Sequence, residues 1–192
     1  MFTWIIEKKA KILSVNDWEF EVENHFWWDL KIGQSIAHDW ACMTITEFND
    51  SSYKFFAMWE SLDKTNFTHK KTWDFFNVER CLKVWDRLDG HFVSGHIDAT
   101  TTITDIYENS DGSWLMTFDL RPEFRKFLIE KWSITINGTS LTISHLEDNS
   151  FSVSLIPLTL KETNLWDLTV TDFVNLEFDL LWKFILNKNI NV

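Results

Sequence analysis

Two short blocks hold the side chains best suited to chemistry, and each is a copy of the other. Trp40-Ala41-Cys42-Met43-Thr44-Ile45-Thr46 returns as Gly138-Thr139-Ser140-Leu141-Thr142-Ile143-Ser144, at an offset of 138 − 40 = 98. One copy offers a thiol where the other offers a hydroxyl. As a thiolate, Cys42 would be a nucleophile; equally, because Ser140 replaces it in the other copy, it reads as a small buried residue. Ser140 and Thr142 hold hydroxyls that donate and accept hydrogen bonds. His96 could shuttle a proton as a general acid or base. The two cysteines, Cys42 and Cys81, form no metal-ligand cluster, which leaves a disulfide-free cytoplasmic protein as the expectation.

The copying runs further. Ser61-Leu62-Asp63-Lys64-Thr65-Asn66-Phe67 returns as Thr159-Leu160-Lys161-Glu162-Thr163-Asn164-Leu165, and Trp73 to Glu79 returns as Thr171 to Glu177, both at the same offset of 98 (159 − 61 and 171 − 73). Three blocks in one register imply a duplicated domain, and two copies of this size are not a solenoid. Each copy should hold a similar ligand. The segment Ser94-Gly95-His96-Ile97 echoes Thr3-Trp4-Ile5-Ile6 at an offset of 94 − 3 = 91. The seven-residue slip must fall before the Cys42 and Ser140 blocks.

The elements that position these residues read mostly as strands. Ile134 to Ile143 alternates apolar and polar side chains around Asn137-Gly138, a strong hairpin signal. Glu19–Glu23, Met43–Thr46 and Phe151–Ile156 alternate as well, and Ala99–Ile106 is rich in Thr. Pro122 predicts a helix bearing Phe124, Phe127 and Leu128, and Asp179 predicts a capped terminal helix through Leu180, Leu181, Phe184 and Ile185. Short, evenly spaced strands predict an all-β chain of small closed barrels rather than a parallel sheet. The chain has 18 Lys and Arg against 29 Asp and Glu, a net charge of −11. That balance disfavours nucleic acid and anionic membrane surfaces. No apolar run approaches the roughly 20 residues of a membrane helix, and Glu7, Lys8 and Lys9 interrupt any signal-peptide core.

The opening Met1-Phe2-Thr3-Trp4-Ile5-Ile6-Glu7 resembles that of the riboflavin synthase alpha-chain family. So do Ser35–Thr46, Asn77-Val78-Glu79-Arg80 and Asp86–Asp98, which contains Val93-Ser94-Gly95-His96-Ile97. Lys131-Trp132-Ser133-Ile134 with Gly138–Thr142, Leu155–Leu160 and Asn175–Asp179 complete a collinear match over essentially the whole chain. The resemblance implies two six-stranded Greek-key barrels in tandem, residues 1–91 and 92–179, and a terminal helix and tail, 180–192. It implies dismutation of two 6,7-dimethyl-8-ribityllumazine molecules to riboflavin and 5-amino-6-ribitylaminopyrimidinedione, with no metal or organic cofactor. It also implies a homotrimer whose active site lies between the N-barrel of one subunit and the C-barrel of the next. A non-catalytic lumazine- or flavin-binding antenna protein is the alternative. A reaction that consumes two copies of one substrate suits a duplicated pocket.

By matching motif positions, the first pocket is expected to use Trp4, Ile5 and Ile6 with Cys42, Met43 and Thr44. Phe56, Ala57, Met58, Trp59, Glu60 and Ser61 would complete it. The second is expected to use Gly95, His96 and Ile97 with Ser140, Leu141 and Thr142. Leu155, Ile156, Pro157, Leu158, Thr159 and Leu160 would close that one, and Lys131 would enter from a neighbouring subunit. Phe2 and Thr3 are expected at the active site, His96 as a proton shuttle, and Cys42 as either contact residue or nucleophile. Asp179 has two readings, helix cap or a group polarising the site across the interface. His38 and His91 read as structural, and Glu60 and Glu177 as solvated or structural.

The family has glycine where this chain has Trp4, Trp40, Trp73, Trp85, Trp132, Trp166 and Trp182. The internal repeat shows part of the same pattern, since Trp40 aligns with Gly138 and Trp4 with Gly95. Trp59 likewise aligns with Pro157. A left-handed backbone costs a residue bearing Cβ about 1–2 kcal/mol. The bulk of Trp4 and Trp40 is therefore expected to obstruct the first pocket more than the second.

Overall fold

The computed structural model describes residue 2, residues 5–85 and residues 94–188. Alternating side chains build six strands in the first half: β1 (Lys8–Asn16), β2 (Glu19–Glu23), β3 (Ser35–His38), β4 (Ala41–Phe48), β5 (Ser52–Phe56) and β6 (Phe75–Arg80). The second half repeats them as β7 (Ala99–Glu108), β8 (Trp114–Asp119), β9 (Ser133–Ile136), β10 (Thr139–Leu146), β11 (Ser150–Leu155) and β12 (Phe173–Phe178). Each set closes into an antiparallel barrel. The first runs β1-β2-β5-β4-β3-β6, and the second has the same order with each strand number raised by six. Closure leaves no free edge in either sheet.

Inward positions fill two separate cores. Phe20 stacks on Phe55 in the first, and Phe118 stacks on Phe151 in the second. On β4, Ala41, Met43 and Ile45 are buried, so the alternation turns Cys42 and Thr44 to the outer face. On β10 the same alternation turns Ser140 and Thr142 outward. The side chains expected to do pocket chemistry thus face away from the barrel cores, near the starts of β4 and β10.

The registers locate the slip. Bulges at Ile12/Ser14 and Ile103/Asp105 are offset by 103 − 12 = 91, and those at Ile45/Glu47 and Ile143/His145 by 143 − 45 = 98. Val22 pairs with Tyr53 and Phe118 with Phe151, so β2 and β8 are offset by 118 − 22 = 96. Five of the seven extra residues therefore lie in the β7–β8 turn (96 − 91) and two between β8 and β9 (98 − 96).

Short helices follow β5 and β11: α1 (Trp59–Lys64) and α2 (Pro157–Glu162). Pro122 opens a 3-10 turn, Pro122–Phe127, rather than the expected α-helix. Its Phe124 and Phe127 pack on Phe178, which one short turn achieves without a longer helix. The terminal helix α3 (Leu180–Lys188) forms as expected. Asp179 accepts from the backbone N–H groups of Leu181 and Trp182, so the structure places it as the cap.

The barrels meet across a seam of buried amides obeying a pseudo-two-fold rule. Asn77 Nδ2 donates to the Asn137 carbonyl and Asn175 Nδ2 to that of Asp39, each at 2.8 Å. The backbone N–H of Asn164 donates to Asn77 Oδ1, and that of Asn66 to Asn175 Oδ1. One cation breaks the symmetry: Lys70 contacts fully buried Asp39 at 2.6 Å. Hydrogen bonding is what makes so much buried polarity tolerable.

Three of the tryptophans at glycine positions do take a left-handed backbone. Trp40, Trp73 and Trp85 have φ of +85°, +81° and +83°, and Gly138, the repeat partner of Trp40, has +81°. Trp132, Trp166 and Trp182 do not. Trp166 stacks on Trp114, and Trp182 Nε1 donates to the Lys126 carbonyl.

Candidate functional site

A cleft of about 400 Å³ lies against the first barrel, a size that suits a small heterocyclic ligand. Its floor is the start of β4, with Ala41, Cys42 and Met43; one wall is α1 and its approach, with Met58, Glu60, Ser61, Lys64 and Thr65. Gly95, His96 and Ile97 form the other wall, and they come from the segment that leads into the second barrel. Cys42 N–H donates to the Gly95 carbonyl at 3.1 Å and fixes that wall. A Cβ at Gly95 would stand 2.9 Å from the Phe2 ring and 3.0 Å from Cys42 Cβ, so only glycine fits.

This corrects the expected grouping. Gly95, His96 and Ile97 stand with Cys42 rather than with Ser140. The N-terminal segment goes the other way, since Ile6 Cδ1 lies 3.2 Å from where a Cβ of Gly138 would be, at the start of β10. The lead-in segments are exchanged between barrels. A register argument could not see this, because equal offsets within a repeat do not say which copy a terminal segment visits. Thr3, Trp4 and His91 lie outside the described residues.

Trp40 also departs from expectation. Its indole is buried against Phe2, with ring centroids 5.3 Å apart, and Nε1 donates to Glu177, so it occupies the seam and leaves the cleft unlined by it. Glu177, on β12, is fully buried. It accepts from Ser94 N–H at 3.0 Å, Ser94 Oγ at 2.8 Å and Gly95 N–H at 3.1 Å. Its burial and these bonds set aside the solvated one of its two readings.

Of the other expected first-pocket residues, Thr44 is exposed two residues along β4, Phe56 and Trp59 are exposed, and Ala57 is buried. Ile5 is exposed. Ala41, Lys64 and Thr65 complete the lining without having been expected there. Thr65 follows the copied Ser61–Lys64 run in the same repeat block, and that repetition was its signal. His96 is exposed at the cleft, and Cys42 is half-buried beside Cys81, whose thiol is pushed up by burial.

Around β10 the second barrel places Ser140, Leu141, Ile156, Leu158 and Thr159 at the repeat equivalents of Cys42, Met43, Met58, Glu60 and Ser61. Each equivalence is a shift of 98, for example 140 − 42 and 156 − 58. Thr142 is exposed beyond Ser140, Pro157 begins α2, and Leu155 and Leu160 are core residues. Lys131 Nζ donates to the Ser144 carbonyl of its own chain at 2.8 Å. A second groove of about 400 Å³ opens at the seam among His69, Trp73, Asp167 and Phe173, and neither the Cys42 block nor the Ser140 block lines it. Among the described residues no cluster of His, Cys, Asp and Glu is placed to hold a metal. No described helix is long and apolar enough to cross a membrane.

This architecture, two equivalent barrels with motif blocks at matching rims, is that of a duplicated ligand-binding protein. A family model described as the lumazine binding domain matches residues 3–81 and again residues 94–179, and the chain belongs to that family. It is 38% identical to a riboflavin synthase of Actinobacillus pleuropneumoniae, covering 96% of this chain and 88% of that protein. It is 35% identical to the riboflavin synthase of Escherichia coli (strain K12), covering 93% and 87%. Among solved structures, LumP complexed with riboflavin superposes with a TM-score of 0.84 at 19% identity, covering 93% of this chain and 99% of that one. LumP complexed with 6,7-dimethyl-8-(1'-D-ribityl) lumazine gives 0.81 at 19% identity, with the same coverage.

Proposed function

We propose that the chain is a riboflavin synthase that dismutates two 6,7-dimethyl-8-ribityllumazine molecules. A four-carbon unit passes from one to the other, giving riboflavin and 5-amino-6-ribitylaminopyrimidinedione. The observation that carries this reading is the retention of both pocket blocks, thiol- or hydroxyl-bearing, at equivalent rims of two barrels. Full-length identity to riboflavin synthases supports it. Backbone groups of the β4 and β10 starts would pair with the pyrimidine edge, and Ser61, Thr159 and Ser140 would hold ribityl hydroxyls. His96, exposed at the cleft, would take the proton released from a lumazine methyl group. Holding two rings in one orientation would supply much of the acceleration.

The cleft is open in a single chain, and α3 exposes Leu181 and Ile185. Both features fit a cytoplasmic homotrimer in which the first barrel of one subunit faces the second barrel of the next. Under this arrangement residues 1–91 and 92–179 each bind one lumazine, and 180–192 serves assembly. The fold shared with LumP keeps one rival in view, an antenna protein that binds the ligand without turnover. Incubation with the lumazine separates them. Riboflavin appearing in the product supports the synthase; lumazine bound but unchanged establishes the antenna reading; no binding overturns both.

A further inference from the structure

We propose that Glu177 is a positioning residue for the first barrel's ligand site, although it belongs to the second barrel. Its two carboxyl oxygens accept from Ser94 N–H, Ser94 Oγ and Gly95 N–H, at 3.0, 2.8 and 3.1 Å. Gly95 then accepts from Cys42 N–H through its carbonyl at 3.1 Å. One residue therefore ties β12 of one barrel to the wall of the other barrel's cleft. Ser94 Oγ also accepts from His96 N–H at 3.3 Å, so the same carboxyl sets the backbone that presents His96. Glu177 does not line the cleft itself. It acts through the 94–96 segment.

The inference rests on the lumazine-binding reading, and its test separates the two. Hydrogen exchange with and without 6,7-dimethyl-8-ribityllumazine reports each pocket through its own peptides, those over 41–43 and 58–65 or those over 139–141 and 156–163. No protection anywhere in the parent chain sinks the binding reading. If the parent is protected at both, Glu177→Gln should weaken ligand protection at the first barrel about tenfold or more in ligand concentration. The amide would turn a donor toward the backbone donors of Ser94 and Gly95. Protection of the second barrel, which contains the substitution, should persist. Ser94→Ala, which keeps the carboxyl and drops the two bonds made by Ser94 Oγ, should shift the same peptides by less and serves if Glu177→Gln does not fold. Glu79→Gln, at the repeat-equivalent place on β6, should leave the first barrel protected. Loss confined to the second barrel, or equal loss in both, would overturn the proposal.

A second inference rests on backbone angles. Trp18, Trp40 and Trp85 have φ of +72°, +85° and +83°. Trp85 is 96% exposed, a poor use of an indole. Trp40 holds the conformation of its repeat partner Gly138. Trp73 has +81°, but Thr171 holds +80° at its repeat position, so the other three carry the argument. The chain has 12 Trp and only 5 Gly, which points the same way. UGA, a stop in the standard code, lies one base from tryptophan's UGG and one from glycine's GGA. We infer that positions 18, 40 and 85 are encoded by UGA and filled with glycine in the cell that makes this protein. Peptide mass spectrometry of protein from those cells should find glycine there, and the gene should show UGA. Tryptophan at these positions, or UGG codons, would overturn the inference.

Discussion

Where the first barrel buries His38 and Tyr53, the second buries Ile136 and Phe151 at the same places, 98 residues on (136 − 38 and 151 − 53). Asp39 with its Lys70 partner stands against Asn137 and Leu168, Cys42 against Ser140, and Lys64 against Glu162. Strand order and bulges are common to both barrels, so these differences are not needed to build a barrel. Polar and titratable groups have been gathered on one side of a duplicated frame. In the proposed reaction two identical substrates have different fates, one giving up carbon and the other receiving it. A frame with two equal sites would have no means of assigning those fates.

The largest expected effect is on turnover. His96→Gln should lower the rate of riboflavin formation by about 10²–10⁴-fold while lumazine binding changes little. A comparable rate would remove His96 from proton transfer and leave only its place in the cleft wall. The next is acid stability. Burial among Tyr53, Phe55 and Phe76 pushes His38 down to about 3 from 6.5. Burial likewise pushes the Tyr53 phenol up, and the two share a hydrogen bond of 2.7 Å. Above pH 6.5 His38 is neutral in both folded and unfolded chains, and its contribution is intact. As pH falls from 6.5 toward 3 only the unfolded chain takes up the proton, so stability drains across that window. The ceiling is on the order of 5 kcal/mol. His38→Ile with Tyr53→Phe copies the second barrel and should flatten this part of the pH–stability curve. Denaturant titration at pH 7 and pH 4 reads the difference.

Much of this comparison was legible beforehand. The offset of 98 superposes β4 on β10 and β6 on β12, and Asn137-Gly138 turned where the hairpin signal said it would. Asp39-Trp40 makes the same turn with φ of +41° and +85°, which its residues alone would not advertise. The exchange of the lead-in segments was not legible, because it depends on how two barrels dock. Glu177 could not be told from a solvated carboxylate for the same reason, as its partners lie 82, 83 and 137 residues away. The Asn66, Asn77, Asn164 and Asn175 seam was visible only as repeated letters. An amide has no sequence pattern that says it will bridge two domains.

A smaller effect tests the seam itself. Lys70→Leu copies the second barrel at one residue and takes its cation from the fully buried Asp39 carboxylate, which keeps only donors from Asn66, Asn77 and Asn164. Removing one partner of such a pair typically costs about 3–5 kcal/mol. Adding Asp39→Asn restores the second barrel's solution and should recover most of that loss. Thermal melts of the two single variants and the double variant give the coupling. If the three losses merely add, the pair is not what distinguishes the two halves of the seam.

The smallest expected effect decides what the thiol is for. Cys42→Ser turns the first pocket's chemistry into that of Ser140 while keeping size and hydrogen-bonding capacity. Cys42 sits on the outer face of β4, half-buried, with its N–H committed to the Gly95 carbonyl, a bond that a serine backbone makes equally well. If the thiol is a contact residue, turnover should stay within about tenfold of the parent and lumazine binding should hardly change. If it adds to a lumazine carbon, the change should resemble loss of a covalent nucleophile, and turnover should fall far beyond that. Steady-state rates with the lumazine, beside mass spectrometry of the trapped enzyme, separate these outcomes. We expect the modest one, because an essential thiolate would be the one feature of the first pocket that its hydroxyl-bearing twin cannot imitate, whereas hydrogen bonding to the ligand is something both can do.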